Sequence, residues 1–372
     1  MKNKLITTAL VGSMFGFAIS SAVAQTTVTG NLDIAYHAVS GKGTDTATNP
    51  SYRGFGQEQQ INIQNKGKLS NGMDYAAGFS WELDGSEVLG GDSTAAAAAN
   101  DSTNARQENV FIDLIVNKDL TLSISADHMP NTDVTMTNLV GWGYLGGQGI
   151  QNNGSSYPTS LNDGGYGIGF TYNLGPARLT LQHQPNPGKA AGFNDTGHTI
   201  EAQEDGDENA KVEGILRGDF GVKGLDVLIG FQRQDGRTAA AKDENGERFS
   251  AKYNFGQVTV AADYIKLEGQ DRTFGGTAAT TRAETLKGKS VGIAYALTPA
   301  FSIGYTQSKA EVSNATTANA ALGVEDEKIK MFQAGYNLGA VTVQAQVRDV
   351  DNASGVATAD GKIGSVKLST RF

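Results

Sequence analysis

The sequence has no cysteine, only seven prolines and few charged residues, which make up 19% of its 372 positions. Without cysteine it can form no disulfide, no thiolate nucleophile and no sulfur-ligated metal site. Beyond residue 24 it also lacks any uninterrupted run of 18 apolar residues, so no helix in this part is expected to cross a membrane. Glycine is abundant instead, with 48 residues, and Thr, Ser, Asn and Gln are frequent.

The first 24 residues have the pattern of a secretory signal peptide. Lys2 and Lys4 precede an apolar run over residues 5–19, and Ala22-Val23-Ala24 supplies the small residues of a cleavage site. The alternative is an N-terminal membrane anchor, but the cleavage pattern directly after the apolar run favours a signal. Removing Lys2 and Lys4 with it leaves 28 basic and 39 acidic residues, a formal charge of −11. We therefore predict an exported, acidic protein formed by residues 25–372.

Strict alternation of apolar and polar residues is the commonest pattern in the rest of the chain. In residues 119–128, Leu, Leu, Ile and Ala alternate with Thr, Ser, Ser and Asp, and residues 340–350 and 361–372 behave in the same way. A period of two with one apolar and one polar face indicates a β-strand. The alternation predicts sixteen strands, at 26–39, 57–69, 73–84, 107–117, 119–128, 165–173, 177–185, 209–220, 224–234, 247–255, 257–268, 288–297, 299–311, 327–337, 340–350 and 361–372.

The connections between these segments alternate between very short and long. Short ones such as 70–72 and 338–340 have turn residues, whereas 85–106, 129–164, 186–208, 269–287 and 312–326 are long and polar. Strands of about ten residues with long loops at one end and short turns at the other are typical of an up-and-down membrane barrel. We predict an all-β, 16-stranded antiparallel transmembrane barrel in which 361–372 pairs with 26–39, because closure leaves no strand edge facing lipid.

Aromatic residues occur near both ends of the predicted strands. They fall near the short turns at Tyr75, Tyr172, Phe220, Phe255, Phe301, Tyr336 and Phe372, and toward the long loops at Trp81, Phe249, Tyr264 and Tyr305. Two outward aromatic girdles are typical of a membrane barrel. The alternative is a soluble β protein in which these side chains are half-buried, but it does not explain why the polar face is also continuous. A barrel of sixteen strands is too wide for side chains to fill, so its interior is expected to hold water.

The chain resembles the Gram-negative general diffusion porins. The similarity lies in the overall architecture, in the first-strand segment VTGNLDIAY at residues 28–36, and in the terminal aromatic Phe372. The resemblance implies a homotrimer in the outer membrane that carries small hydrophilic solutes and ions by passive diffusion, without a cofactor. It also implies that Phe372 belongs to the assembly signal read by the outer-membrane insertion machinery, and that the long loops lie outside the cell beside lipid and lipopolysaccharide.

In this family the third loop folds into the channel and narrows it, which here implies the segment 129–162. Many members have an acidic Pro-Glu-Phe-Gly element in this loop, whereas this segment has none and carries Asp133 as its only side chain that is ionised at neutral pH. The resemblance then implies a constriction lined by backbone and by Trp142, Tyr144 and Gln148. A cluster of carboxylates at the constriction is therefore not expected.

Strand parity assigns charged residues to the interior, because Arg or Lys facing lipid costs about 2–4 kcal/mol at the midplane. The two predicted sets are nearly balanced: Lys66, Lys68, Arg178, Lys211, Arg217, Arg248, Lys252, Arg348, Lys367 and Arg371 against Asp33, Asp74, Glu82, Asp113, Asp127, Glu213, Asp219, Asp226 and Asp263. Since the constriction loop contributes almost no charge, the wall should decide selectivity. We predict a weak anion preference, with Arg178 and Arg217 as neighbours across the 186–208 hairpin.

Other functions fit the sequence less well. A substrate-specific channel could use Trp142 and Tyr144 to stack solutes, although two aromatics in one loop also suit packing against the wall. An outer-membrane hydrolase could use His37, His128, His183 or His198 near the long loops, but neither Gly-x-Ser-x-Gly nor His-Glu-x-x-His occurs. We therefore expect no enzymatic activity, no metal site and no nucleic-acid partner.

The acidic run 201–208 could bridge divalent cations to lipopolysaccharide phosphates, or it could simply be a solvated loop.

Overall fold

A computed structural model describes residues 24–42, 51–85, 106–126, 136–140, 166–184, 210–234, 243–274, 281–313, 316–317, 325–353 and 359–372. The predicted signal peptide lies outside these ranges apart from Ala24, and so does the acidic run 201–208. Over the described residues, no helix is long and apolar enough to cross a membrane.

All the regular structure in the described part of the chain is β. The strands, in chain order, are β1 (Gln25–Lys42), β2 (Ser51–Lys68), β3 (Asp74–Gly85), β4 (Arg106–Ile115), β5 (Leu120–Ala126), β6 (Tyr166–Asn173), β7 (Ala177–Gln184), β8 (Lys211–Gly218), β9 (Leu225–Gln234), β10 (Glu244–Phe255), β11 (Val258–Phe274), β12 (Thr281–Ala296), β13 (Phe301–Ser313), β14 (Thr316–Thr317), β15 (Glu327–Asn337), β16 (Val341–Asp351) and β17 (Asp360–Arg371).

The strands form one closed antiparallel barrel. Each of sixteen strands pairs with its neighbours in chain order, and β14 is a two-residue addition that pairs with the start of β12. The barrel closes where β1 pairs with β17, in a continuous register from Asn31 opposite Arg371 to Lys42 opposite Asp360. The predicted sixteen-stranded barrel and its seam are therefore confirmed.

Strand boundaries agree with the sequence prediction to within three residues except at three places, all toward the long loops. β2 begins at Ser51 rather than 57, β11 ends at Phe274 rather than 268, and β12 begins at Thr281 rather than 288. The additional residues of β11 and β12 do not alternate between apolar and polar, because they extend past the apolar band and no longer need one apolar face. Their pairing is carried by backbone hydrogen bonds, with a register irregularity between Glu268 and Arg272.

The short turns have the residues their geometry requires. Gly72, between β2 and β3, has a φ of 85°, a conformation that favours glycine, and Asn71 Oδ1 accepts the N–H of Met73 at 3.0 Å. Such turns hold adjacent strands in register at this end of the barrel. The opposite end carries the long connections.

The outer wall is apolar. Large hydrophobic side chains from strands all round the barrel are exposed on it, including Ile34, Ile61, Ile124, Ile168, Ile229, Phe249, Val291, Phe332, Val347 and Leu368. Cross-strand aromatic pairs add to this surface, with the rings of Tyr36 and Phe55 at 5.1 Å and those of Tyr305 and Phe332 at 4.7 Å. An exposed apolar wall of this extent requires a hydrocarbon solvent.

Candidate functional site

The inner wall carries the polar side chains of the same strands. Many of the residues between the exposed hydrophobic positions are buried and polar, among them Ser123, Ser125, Thr180, Gln182, Gln232, Ser250, Ser290, Thr306, Gln333, Gln346 and Ser365. Others, such as Ile265, Ile329 and Ile363, are buried and apolar. Inward side chains become more exposed toward the short turns: on β8, Lys211 is 1% exposed, whereas the Arg217 side chain is 34% exposed. The interior is thus lined by both polar and apolar side chains, and on β8 it opens toward the short-turn end.

Part of the connection between β5 and β6 lies inside the barrel. Residues 136–140, which we call the inserted segment, contact the inner wall at strands far from β5 in the sheet. Thr137 donates its backbone N–H to Asp263 Oδ2 on β11 at 2.9 Å and its hydroxyl to the same oxygen at 3.1 Å. Its hydroxyl also lies 2.6 Å from Ser290 Oγ on β12, and its carbonyl accepts the Thr306 hydroxyl on β13 at 2.8 Å.

Polar contacts continue along the inserted segment to the next strands. Gln333 on β15 donates to Asn138 Oδ1 at 3.2 Å, and Gln344 on β16 donates to the carbonyl of Val140 at 3.2 Å. The segment therefore runs along the inner wall from β11 to β16. It occupies interior volume that the wall alone would leave to water.

Apolar contacts hold both ends of the inserted segment against the inner wall. Met136 packs with Ile215, Leu228 and Ala261 of β8, β9 and β11, and Leu139 lies against this cluster. At the other end, inward glycines make room for Val140. A Cβ placed on Gly304 would lie 2.6 Å from Val140 Cγ2, and one on Gly335 would lie 2.8 Å from Val140 Cγ1. Glycine inside a strand is a signal of such close approach.

Arg248 and Asp263 form a buried ion pair beneath the inserted segment. Arg248 Nη2 lies 3.2 Å from Asp263 Oδ1, both side chains are 2% exposed, and Arg248 Nε donates to Ser250 Oγ at 3.0 Å. Asp263 therefore uses one oxygen for Arg248 and the other for Thr137. Strand parity predicted that both charges face inward, but nothing in the local sequence indicated that they hold a distant loop.

A second charge cluster lies on the inner wall near the short turns. Arg178 and Arg217 are directly opposite each other on β7 and β8, as the hairpin prediction requires. Arg217 makes a two-point contact with Asp226 at 3.0 and 2.8 Å, and Lys252 Nζ lies 3.6 Å from the same carboxylate. Asp219, at the end of β8, accepts the N–H of Gly221 within the turn at 2.9 Å. We call Arg178, Arg217 and Lys252 the cationic cluster.

The remaining predicted wall charges occupy several environments. Lys367 lies 3.1 Å from Asp33, which also accepts the hydroxyl of Ser369. Asp113 accepts the hydroxyl of Ser123 at 2.6 Å. Arg348 is only 3% exposed, whereas Lys66 and Arg371 are exposed.

Some predicted residues lie outside the described part of the chain. These are Asp127, the histidines His128 and His198, and the three residues proposed for the constriction, Trp142, Tyr144 and Gln148. Of the histidines, His37 Nδ1 lies 2.9 Å from Ser365 Oγ, while His183 lies between the inward residues Gln182 and Gln184 and is exposed. His37 and His183 are thus on opposite faces of the wall and share no site.

Phe372 closes the seam. Its backbone N–H donates to the carbonyl of Gly30 at 3.0 Å, and its carbonyl accepts the N–H of Gly30 at 2.9 Å. The ring lies over this glycine, because a Cβ on Gly30 would be 2.6 Å from Phe372 Cζ. The side chain is 67% exposed.

Comparisons with known proteins agree with this architecture. A family model described as Gram-negative porin matches residues 7–325. No curated protein matches the sequence.

Several solved structures share the fold. OmpF of Salmonella typhi, in complex with daunomycin, matches with a TM-score of 0.63 and 12% identity over 94% of this chain and 98% of that one. A triple mutant of Rhodopseudomonas blastica porin matches with a TM-score of 0.54 and 14% identity over 94% and 100% of the two chains. A loop-deletion mutant of OmpT, an outer membrane protein of Vibrio cholerae, matches at 0.57 and 12% over 94% and 99%.

Proposed function

Since this chain belongs to the Gram-negative porin family, we propose that it forms a water-filled outer-membrane channel for passive diffusion of small hydrophilic solutes and ions. The observation that carries this proposal is the two-faced wall: exposed Ile, Val and Phe outside, and Gln, Ser, Thr and paired charges inside. An apolar exterior matches a bilayer, and a polar interior matches water. The inserted segment supports the same function, because a loop held against the inner wall limits the size of the solute.

The proposed selectivity is weakly anionic. Within the described part of the chain, the Arg248 and Lys367 charges are matched by Asp263 and Asp33. The cationic cluster instead places Arg217 and Lys252 beside Asp226 and Arg178 opposite Arg217, with Asp219 the other carboxylate at that end of β8. An excess of positive charge at the open end of the interior raises the local concentration of anions.

Bilayer recording tests this function. The refolded protein, residues 25–372, is expected to give ohmic conductance that does not saturate with solute concentration. Under a KCl gradient, its reversal potential should lie slightly closer to the chloride equilibrium potential than to that of potassium. Absence of channels from correctly folded protein would exclude the diffusion function. Current block by micromolar sugar or aromatic solute would instead support a substrate-specific channel, and a reversal potential displaced toward potassium would refute the anion preference.

Export, assembly and oligomeric state are part of the same proposal. Cleavage after Ala24 would leave Gln25 as the first residue, which N-terminal sequencing of the outer-membrane form tests. Phe372 is proposed to be read by the insertion machinery, because its exposed ring stands at the seam where the barrel closes. A homotrimer is proposed by analogy with the family and is tested by heat-modifiable migration before and after boiling.

A further inference from the structure

Two arginines face the lumen directly opposite each other near the short turns. Arg178 on β7 and Arg217 on β8 are paired in the register, a relationship that places the Cβ atoms about 5 Å apart. Like charges directly opposite each other destabilise a sheet unless another charge offsets them. The way in which these two charges are offset therefore indicates what the inner wall can bind at this point.

Only one of the two arginines has a carboxylate partner among the described residues. Arg217 donates from Nε and Nη2 to the two oxygens of Asp226 at 3.0 and 2.8 Å, which fixes its guanidinium group and leaves Nη1 for a further acceptor. Arg178 is exposed on the inner wall, and no carboxylate in the described part of the chain pairs with it. Its planar set of N–H donors is therefore available to a solute.

Lys252 adds a third positive charge at the same place. Its Nζ lies 3.6 Å from Asp226, and its side chain is 31% exposed. Asp219, the other carboxylate at this end of β8, accepts the backbone N–H of Gly221 within the turn at 2.9 Å. The cationic cluster and Asp226 together therefore leave an excess of positive charge on this part of the inner wall.

The cationic cluster lies on the short-turn side of the inserted segment. Met136 packs against Ile215 on β8. Arg217 is the next residue on the same face of that strand, about 7 Å further toward the short turn. A solute that has passed the inserted segment from the long-loop side would therefore meet the two arginines next. The cluster is placed where it can retain such a solute.

We propose that Arg178, Arg217 and Lys252 form a binding site for one small, doubly charged oxyanion, such as hydrogen phosphate. Arg178 donates two parallel hydrogen bonds to two oxygens of the anion, Arg217 donates from Nη1, and the Lys252 ammonium group contributes its charge. Charge-assisted, bidentate contacts of this kind are among the strong hydrogen bonds, and a planar guanidinium suits them better than an ammonium group does. The bound anion also offsets the repulsion between the two opposed arginines.

This inference rests on the proposed diffusion function and deepens it, because it names a class of solute that the channel retains. Chloride should still pass without saturation. A doubly charged oxyanion is the exception, because it should occupy the site long enough for its own current to saturate.

The alternative is that the cationic cluster acts only as a diffuse positive charge, which attracts every anion according to its valence. In that case the geometry of the guanidinium groups would not matter. A lysine in place of Arg178 would then serve as well as the arginine.

The test measures binding of hydrogen phosphate to the refolded protein in dodecyl maltoside at low KCl and about pH 8, where phosphate is doubly charged. Binding is followed by broadening of the phosphorus NMR line, with nitrate as a singly charged competitor. Arg178→Gln removes both the charge and the planar donors, whereas Arg178→Lys keeps the charge and removes only the planar donors. Lys66→Gln is the matched control, because Lys66 is an exposed inward cation on β2, paired with Ala76 and five strands away from β7.

We expect the wild type to bind hydrogen phosphate with a dissociation constant on the order of 1 mM, and nitrate about ten-fold more weakly. Arg178→Gln and Arg178→Lys should each weaken phosphate binding by about ten-fold, and Lys66→Gln should leave it unchanged. Gel mobility without boiling verifies that each barrel has closed, and Arg178→Lys alone suffices for the test if Arg178→Gln does not close.

Equal affinity of the wild type for phosphate and nitrate would overturn the proposal. An Arg178→Lys variant that binds phosphate like the wild type would also overturn it, in favour of a diffuse charge. Because binding is measured without a membrane, its failure is distinguishable from failure of the channel. A protein that conducts in bilayers but does not broaden the phosphate line would contradict this inference and leave the proposed function standing.

Discussion

Thr137 donates both its backbone N–H and its hydroxyl to one carboxylate oxygen of Asp263, a residue 126 positions further along the chain. The other oxygen of the same carboxylate is held by Arg248 at 3.2 Å. A single buried side chain thus connects the charge of the wall to the backbone of the inserted segment. The position of that segment therefore depends in part on a residue of a distant strand.

We expect Asp263→Asn to loosen the inserted segment. The amide cannot accept from both Thr137 donors with full charge assistance, and Arg248 loses its buried counter-ion, a change that costs about 3–5 kcal/mol in comparable sites. Single-channel recording should show larger or noisier open currents, and urea unfolding should show a lower midpoint. Asp113→Asn is the matched control, because Asp113 contacts Ser123 on the wall rather than the segment. Identical currents in Asp263→Asn and wild type would show that the segment is held without this carboxylate.

The glycines behind Val140 provide a change in the opposite direction. Gly335→Val would place side-chain atoms where Val140 now lies, since even a Cβ would be 2.8 Å from Val140 Cγ1. The segment should move away from the wall and into the lumen, so conductance should fall. Gly364→Val is the control: Gly364 lies on the outer face of β17, with nothing within 4 Å of the added Cβ. A conductance that drops equally in both variants would exclude the steric explanation.

Neutralising the cationic cluster should reverse the direction of ion selectivity. Arg178→Gln with Lys252→Gln removes two of the three cations of the cluster while leaving the Arg217 contact with Asp226 in place. The reversal potential under a KCl gradient should move toward the potassium equilibrium potential. This shift should be smaller at high salt, because exposed charges are screened. Lys118→Gln, in the exposed β4–β5 turn, should leave the reversal potential unchanged. An unaltered potential in the double variant would remove the cluster from the selectivity argument.

Gly30 is the position where the seam tolerates no side chain. A Cβ there would lie 2.5 Å from the carbonyl oxygen of Gln60 and 2.6 Å from the ring of Phe372. We expect Gly30→Val to reduce the yield of closed, heat-modifiable barrel on refolding into liposomes, measured by gel mobility without boiling. Gly56→Val, on the neighbouring strand with nothing within 4 Å of the added Cβ, should refold like wild type. Equal yields would show that β1 shifts to accommodate the side chain.

The barrel itself was predictable because its signal is local. Alternation in residues such as 120–126 indicates which face of a strand contacts lipid, and turn residues indicate where the chain reverses direction. The added pairing of β11 and β12 beyond residues 268 and 288 was missed because hydrogen-bonded strands outside the apolar band need no alternation.

The inserted segment was less accessible from sequence. Parity placed Asp263 inside, but its contact with Thr137 depends on the path of a loop through three-dimensional space. Gly304 and Gly335, inside predicted strands, are the signal that could have indicated a close approach of backbone there.

The pairing of β1 with β17 joins positions more than 300 residues apart, as in the contacts of Asp33 with Lys367 and Ser369. Contacts of such long sequence separation form slowly, because the entropy of ordering the intervening chain is lost before they contribute stability. Until these contacts form, two unpaired strand edges and the apolar outer surface can associate with other chains. The period before closure is therefore when this protein is most prone to aggregate.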